Sequence, residues 1–106
     1  LRFSAQSRGR LHVDEGAHRA IRDEGSSLLA IGITRVEGDF DKGGVVEICE
    51  PDGREFARGL SNYDAEAVTR IQGMQSDRIP EILGHQPYEE VVHRDNLALL
   101  ESEGEL

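Results

Sequence analysis

The residues from Gly25 to Gly59 constrain the fold more than any other part of the chain. An apolar cluster, Leu28-Leu29-Ala30-Ile31-Gly32-Ile33, leads into a short extended run at 34–37. The glycine-spaced Gly38-Asp39-Phe40-Asp41-Lys42-Gly43-Gly44 follows, and then two β-type runs joined by a tight turn. Glycines at these intervals break helices and supply turns, so the stretch is predicted to lay down the wall of a small β-barrel. In residues 45–50, Val46 and Ile48 fall on one face, with Glu47 and Cys49 on the other. Glu50-Pro51-Asp52-Gly53 places proline at i+1 and glycine at i+3 of a type I turn, which predicts a hairpin. In its second strand Phe56 and Leu60 share a face, but Arg58 lies between them. That flaw predicts an edge strand or a bulge.

The flanking segments read as pieces that close or cover this wall. Leu11 and Val13 alternate within a short strand at 10–13. Asp14 is placed to cap a helix, Glu15 suits the helix dipole, and Ala17, Ala20 and Ile21 form one apolar stripe that stops at Gly25. Gly16 is unusual in a first turn. Its expected role is tight packing of helix on strand, with close approach of a ligand backbone as the alternative. Leu28, Leu29, Ile31 and Ile33 are expected in the core, with Gly32 letting the chain bend. A helix is predicted at 64–71, with Val68 and Ile71 inward and Gly73 ending it. Ser76 is expected to cap another, with Ile79, Ile82 and Leu83 as its stripe, Pro80 near the first turn and Gly84 as the stop. Strand signals recur at 91–94 and 97–100. The fold class is mainly β with short α-helices.

At 106 residues the chain is expected to form one domain. No apolar run is long enough to span a bilayer, so no membrane partner is expected. A single cysteine favours a reducing, cytoplasmic setting. Residues 1–8 read as a linker from an absent upstream domain, and residues 101–106 as a flexible acidic tail. Net charge is −9 and Lys42 is the only lysine. That balance excludes a globally basic nucleic-acid footprint, although Arg2, Arg8 and Arg10 leave room for a local patch.

Catalytic signatures are missing from the sequence. His12, His18, His85 and His93 are scattered, without metal-binding spacing, and one cysteine makes no zinc site. His93-Arg94-Asp95-Asn96 superficially matches a kinase catalytic loop but lacks its asparagine spacing, Gly-rich loop and strand lysine. There is no nucleophile elbow and no phosphate loop. The acid pairs Asp14-Glu15, Asp23-Glu24 and Glu89-Glu90 are neighbours that do not face each other on a helix. No catalytic, cofactor-binding or metal-binding residue is therefore expected in this segment.

Gly32-Ile33 together with residues 38–46 resembles the PUA domain, named for pseudouridine synthases and archaeosine transglycosylases. Val13-Asp14-Glu15-Gly16-Ala17, Gly25-Ser26-Ser27-Leu28-Leu29, Arg58-Gly59-Leu60-Ser61-Asn62-Tyr63 and Val92-His93-Arg94-Asp95-Asn96 narrow the resemblance to the C-terminal PUA domain of bacterial glutamate 5-kinases. These stretches span residues 9–100 in the expected order. Gly44 departs from the acidic residue that many PUA domains carry after the loop glycine. The resemblance implies a PUA-like β-pseudobarrel flanked by short helices. It also implies a homo-oligomeric parent enzyme that phosphorylates the γ-carboxylate of glutamate with ATP and Mg²⁺, in an upstream amino-acid-kinase domain. It implies two classes of role for this segment. One is a non-catalytic accessory domain acting on that kinase domain through assembly, metal dependence or proline feedback, with residues 64–84 and 85–92 as contact surfaces. The other is an RNA-binding module. By resemblance to RNA-modifying relatives, the RNA-facing surface would comprise Gly16, Ala17, Arg19, Ile31, Gly32, His93 and Arg94, with Arg19 and Arg94 meeting phosphates.

Overall fold

A computed structural model of the chain describes residues 8–85 and 88–100. Strand β1 (Gly9–Val13) leads through helix α1 (Glu15–Glu24) and strand β2 (Leu28–Leu29) to a 3₁₀ turn at Ala30–Gly32 and strand β3 (Ile33–Gly38). Strands β4 (Val45–Cys49) and β5 (Glu55–Leu60) form the hairpin. Helix α2 (Ala65–Ile71), a 3₁₀ turn at Ser76–Arg78, helix α3 (Ile79–Leu83), strand β6 (Glu90–Val92), a third 3₁₀ turn at Arg94–Asn96 and strand β7 (Leu97–Leu99) follow. The expected linker, apart from Arg8, and the expected acidic tail lie outside the described residues.

Five strands pair in the order β3-β1-β4-β5-β7, and β2 pairs with β6 in a separate ribbon. Strands β1 and β4 are parallel, which requires the crossover through α1; the other pairs are antiparallel. The two edges, β3 and β7, do not pair with each other, so the wall is an open mixed sheet rather than a closed barrel. Its inner face carries Leu11, Val46, Ile48 and Ala57, all fully buried. Ile21 from α1, Val68 and Ile71 from α2, Ile79 from α3 and Val91 and Val92 from β6 pack into the same core. Each of the larger aliphatic side chains contributes about 1.5–3 kcal/mol by leaving water.

Local chemistry sets the boundaries of these elements. Asp14 accepts a hydrogen bond from the Ala17 amide at 2.8 Å, capping α1, and Gly25 ends it at φ 67°. Asp64 caps α2 in the same way through the Ala67 amide. In the hairpin, the Gly53 amide reaches the Glu50 carbonyl at 2.8 Å, closing the expected turn.

Several expectations change. Leu29 and Ile31 are exposed, at 39% and 47%, whereas Leu28 and Ile33 are buried. The two-residue β2 turns Leu28 in and Leu29 out, and the 3₁₀ turn then buries Ala30 and Gly32 instead of Ile31. Strand β5 is no edge, since β4 and β7 flank it. The bulge is real: Glu55 pairs with Cys49 and Ala57 with Ile48, leaving Phe56 as the extra residue. Cys49 is fully buried, whereas Glu47 two residues earlier is only partly so. On β5 the inward residues are Ala57 and Gly59, and Arg58 lies on the outer face with Glu55 at 2.5 Å. Ser76 does not cap α3; it opens a 3₁₀ turn at Ser76–Arg78. Pro80 has no amide proton to give the Ser76 carbonyl, so an α-helical ladder cannot run back to it, and the Ile79 amide makes the shorter bond. Strand β6 stops at Val92, and Arg94 enters the third 3₁₀ turn.

Candidate functional site

Four of the seven residues expected to face RNA meet where α1 begins. The Asp14 amide donates to the Gly32 carbonyl at 2.9 Å, tying the helix start to the 3₁₀ turn. A Cβ built on Gly32 would lie 2.5 Å from the Ala17 Cβ, so these two backbones meet only because residue 32 is glycine. Ile31 projects beside them into solvent. Gly16 is exposed, and a Cβ there would meet only Asp14 Oδ1, at 3.6 Å. The expected tight packing at Gly16 is therefore absent; the close approach belongs to Gly32.

His93 and Arg94 lie at the opposite end of the β2–β6 ribbon. The antiparallel register sets Leu28 against Val92 and Leu29 against Glu90. The Arg94 amide accordingly donates to Ser27 Oγ at 2.8 Å, four residues before Ile31. The two groups are thus connected through β2 and the 3₁₀ turn at Ala30–Gly32. His93 Nδ1 accepts from the Asp95 amide at 3.0 Å and caps the third 3₁₀ turn. The same nitrogen is 3.6 Å from the Asp95 carboxylate. The shorter amide bond needs its lone pair, which places the ring proton on Nε2.

Arg19 and Arg94 are exposed, and neither guanidinium joins an ion pair among the described residues. Asp14 and Glu15 stand at the start of the same helix, and Asp14 already occupies the Ala17 amide. This surface pairs two available cations with an acidic helix entry.

The remaining chemistry-bearing groups have structural partners. The His12 ring hydrogen-bonds Glu37 across β1 and β3, and that bond holds the Glu37 carboxyl below its ordinary range. His18 is buried with its ring edge-on to Phe56 at 4.4 Å and its Nδ1 3.6 Å from Glu15. Burial pushes the Cys49 thiol up to about 11, away from the nucleophilic thiolate. Among the described residues no group of three His, Cys, Asp or Glu side chains is placed to hold a metal ion. One feature escaped the sequence reading: a concavity of about 270 Å³ that gathers Lys42, Arg70 and His85. These residues are far apart in sequence, and only the uniqueness of Lys42 hinted at it.

A profile of the PUA domain family matches residues 9–83. The chain is 49% identical over 100 residues to glutamate 5-kinase of Moorella thermoacetica, covering 94% of this chain and 26% of that protein. It is 56% identical over 96 residues to glutamate 5-kinase of Rhodopirellula baltica, covering 91% and 25%. The chain thus spans about a quarter of the length of these curated relatives, and it matches their C-terminal part. Among solved structures, a PUA domain from Aeropyrum pernix in a tartrate complex superposes with a TM-score of 0.60 at 24% identity, over 81% of this chain and 41% of that one. The archaeal box H/ACA Nop10–Cbf5 complex gives 0.56 at 13% identity, over 88% and 23%. Fold, profile and near-full-length identity agree, and the chain belongs to the PUA domain family.

Proposed function

We propose that this chain is the accessory PUA domain of a glutamate 5-kinase, and that it modulates an upstream amino-acid-kinase domain through assembly, metal dependence or proline feedback. The observation that carries this reading is identity of about one half to glutamate 5-kinases over nearly the whole chain. In this reading the parent is a homo-oligomeric cytoplasmic enzyme. It transfers a phosphoryl group from ATP to the γ-carboxylate of L-glutamate, giving L-glutamyl 5-phosphate, the first step of proline synthesis. ATP and Mg²⁺ act in the upstream domain. No helix among the described residues is long and apolar enough to cross a membrane. The helical segment from α2 to α3 and residues 85–92 are the proposed contact surfaces. The experiment is steady-state kinetics of the parent kinase with and without this domain, varying glutamate, Mg²⁺ and proline. A shifted metal requirement or proline inhibition curve, with the kinase domain still folded, is expected. Superimposable curves would overturn it.

A second reading is an RNA-binding module that tethers the kinase to a structured RNA. It is favoured by the unpaired guanidinium groups of Arg19 and Arg94 and by the likeness to a component of a box H/ACA RNA–protein complex. It requires low-salt binding that weakens along a log–log salt slope and disappears in Arg19→Glu/Arg94→Glu. Absence of binding to structured RNA at low salt removes it.

A further inference from the structure

Like the surface that carries Arg19 and Arg94, the concavity between the 38–44 loop and α2 holds basic side chains outside any ion pair among the described residues. Arg10, Arg22, Arg35, Arg54, Arg58 and Arg78 are all in ion pairs. Lys42, Arg70 and His85 line the concavity, and none of them joins an ion pair among the described residues, although Asp64 and Glu66 stand on the same rim.

The three side chains are also oriented. The Lys42 ammonium sits over the Tyr88 ring, 5.0 Å from its centroid. Tyr88 is set edge-on to Tyr63, and the Tyr63 hydroxyl donates to the Tyr88 carbonyl. One terminal nitrogen of Arg70 donates to the Ile82 carbonyl at 2.6 Å, which fixes the guanidinium and leaves its other N–H groups for a ligand. His85 Nδ1 lies 3.1 Å from the Leu83 carbonyl, so it acts as the donor and Nε2 is left over. Asp64 turns one oxygen onto its own helix at the Ala67 amide.

We propose that this concavity binds a small molecule through a compact oxyanion head, phosphate or carboxylate, held by Lys42 and Arg70 with His85 at the mouth. Charge-assisted bonds from two preset donors suit such a head. Asp64 and Glu66 also line the concavity and repel an extended polyanion, so a nucleic-acid strand is disfavoured there. The volume of about 270 Å³ also suits a metabolite rather than a chain segment.

The test is a ¹H–¹⁵N NMR titration of the 106-residue chain at low ionic strength. Sodium phosphate is added in one arm and sodium acetate in another, with sodium chloride as control. Saturating shifts at the amides of Lys42, Asn62, Arg70 and His85 are expected with phosphate, acetate or both, and the arm that saturates identifies the head group. Lys42→Gln should weaken binding about tenfold. Lys42→Gln/Arg70→Gln should abolish saturation. Because Arg70 also holds Ile82, the Lys42→Gln arm, altering an exposed loop residue, stands even if the double variant unfolds. Shifts that stay linear with both anions would overturn the proposal. So would saturation unchanged in Lys42→Gln, or tighter binding of a short single-stranded RNA at the same amides.

Discussion

The methyl group of Ala17 occupies the space that any side chain at residue 32 would need: a Cβ on Gly32 would sit 2.5 Å from it. The neighbouring backbones are locked as well, because the Asp14 amide bonds the Gly32 carbonyl. Gly32→Ala should therefore destabilise the chain by about 1–3 kcal/mol, the usual cost of overpacking. Ala17→Gly alone loses helix propensity, up to about 1 kcal/mol. Combined, the two changes should cost less than their sum, because the second removes the atom that the first collides with. Urea midpoints for the four proteins of this cycle measure the coupling. Strict additivity would mean that the two backbones separate freely.

Gly16 makes the contrasting case, one position before Ala17 on the same helix. Nothing but its own capping residue lies near a Cβ there, at 3.6 Å, and its φ is not in the left-handed region. Gly16→Ala should raise stability by about 0.5–1 kcal/mol through helix propensity. Thermal unfolding of the two proteins checks this. A loss of more than about 1 kcal/mol would restore the packing role that the sequence implied.

The difference between Gly16 and Gly32 shows what a linear sequence conveys about this fold. Local chemistry was legible. Asp14 and Asp64 cap helices, Gly25 ends one, and Glu50 to Gly53 form the turn, because each depends on neighbours a few residues away. Contacts across long sequence separations were not. Glycine spacing marks where a side chain is unwelcome but not which of two glycines meets a helix. The bulge at Phe56 on the partner strand and the full burial of Cys49 are revealed by no pattern within β4. The same reason hid the cationic concavity, since Lys42, Arg70 and His85 come from separate elements. The residues from Gly16 to Arg94 were named through family resemblance. The structure ties their neighbourhoods together through the Asp14–Gly32 and Arg94–Ser27 hydrogen bonds.

Cys49 is fully buried, and burial pushes its thiol up to about 11. At pH 8 its thiolate fraction should fall about a hundredfold below that of an ordinary cysteine, before any steric protection. Native protein should therefore resist an aromatic disulfide reagent, while the same protein in denaturing urea reacts at the rate of a free thiol. The labelling rate should follow the fraction unfolded through the urea transition. Rapid labelling of native protein would place the thiol in an accessible site.

Asp52 supplies a pH dependence whose sign is fixed by its contacts. Its carboxylate accepts from the Arg54 amide at 2.9 Å and from the Arg54 guanidinium at 3.0 Å, in the turn that joins β4 to β5. The amide bond and then the guanidinium hold its pKa below the ordinary carboxylate value. In the unfolded chain an aspartate titrates near about 3.9. A depressed folded value means the unfolded state takes up the proton first. The stabilising contribution is therefore complete above the unfolded value and is lost as pH falls through the folded one. Asp52→Asn keeps an acceptor for the Arg54 amide but removes the charge. The wild-type advantage over this variant, read as a difference in urea midpoint, should be constant from pH 7 to about 5 and should shrink toward zero below about pH 4. An advantage that persists unchanged at pH 2.5 would assign the effect to amide geometry rather than to the charge.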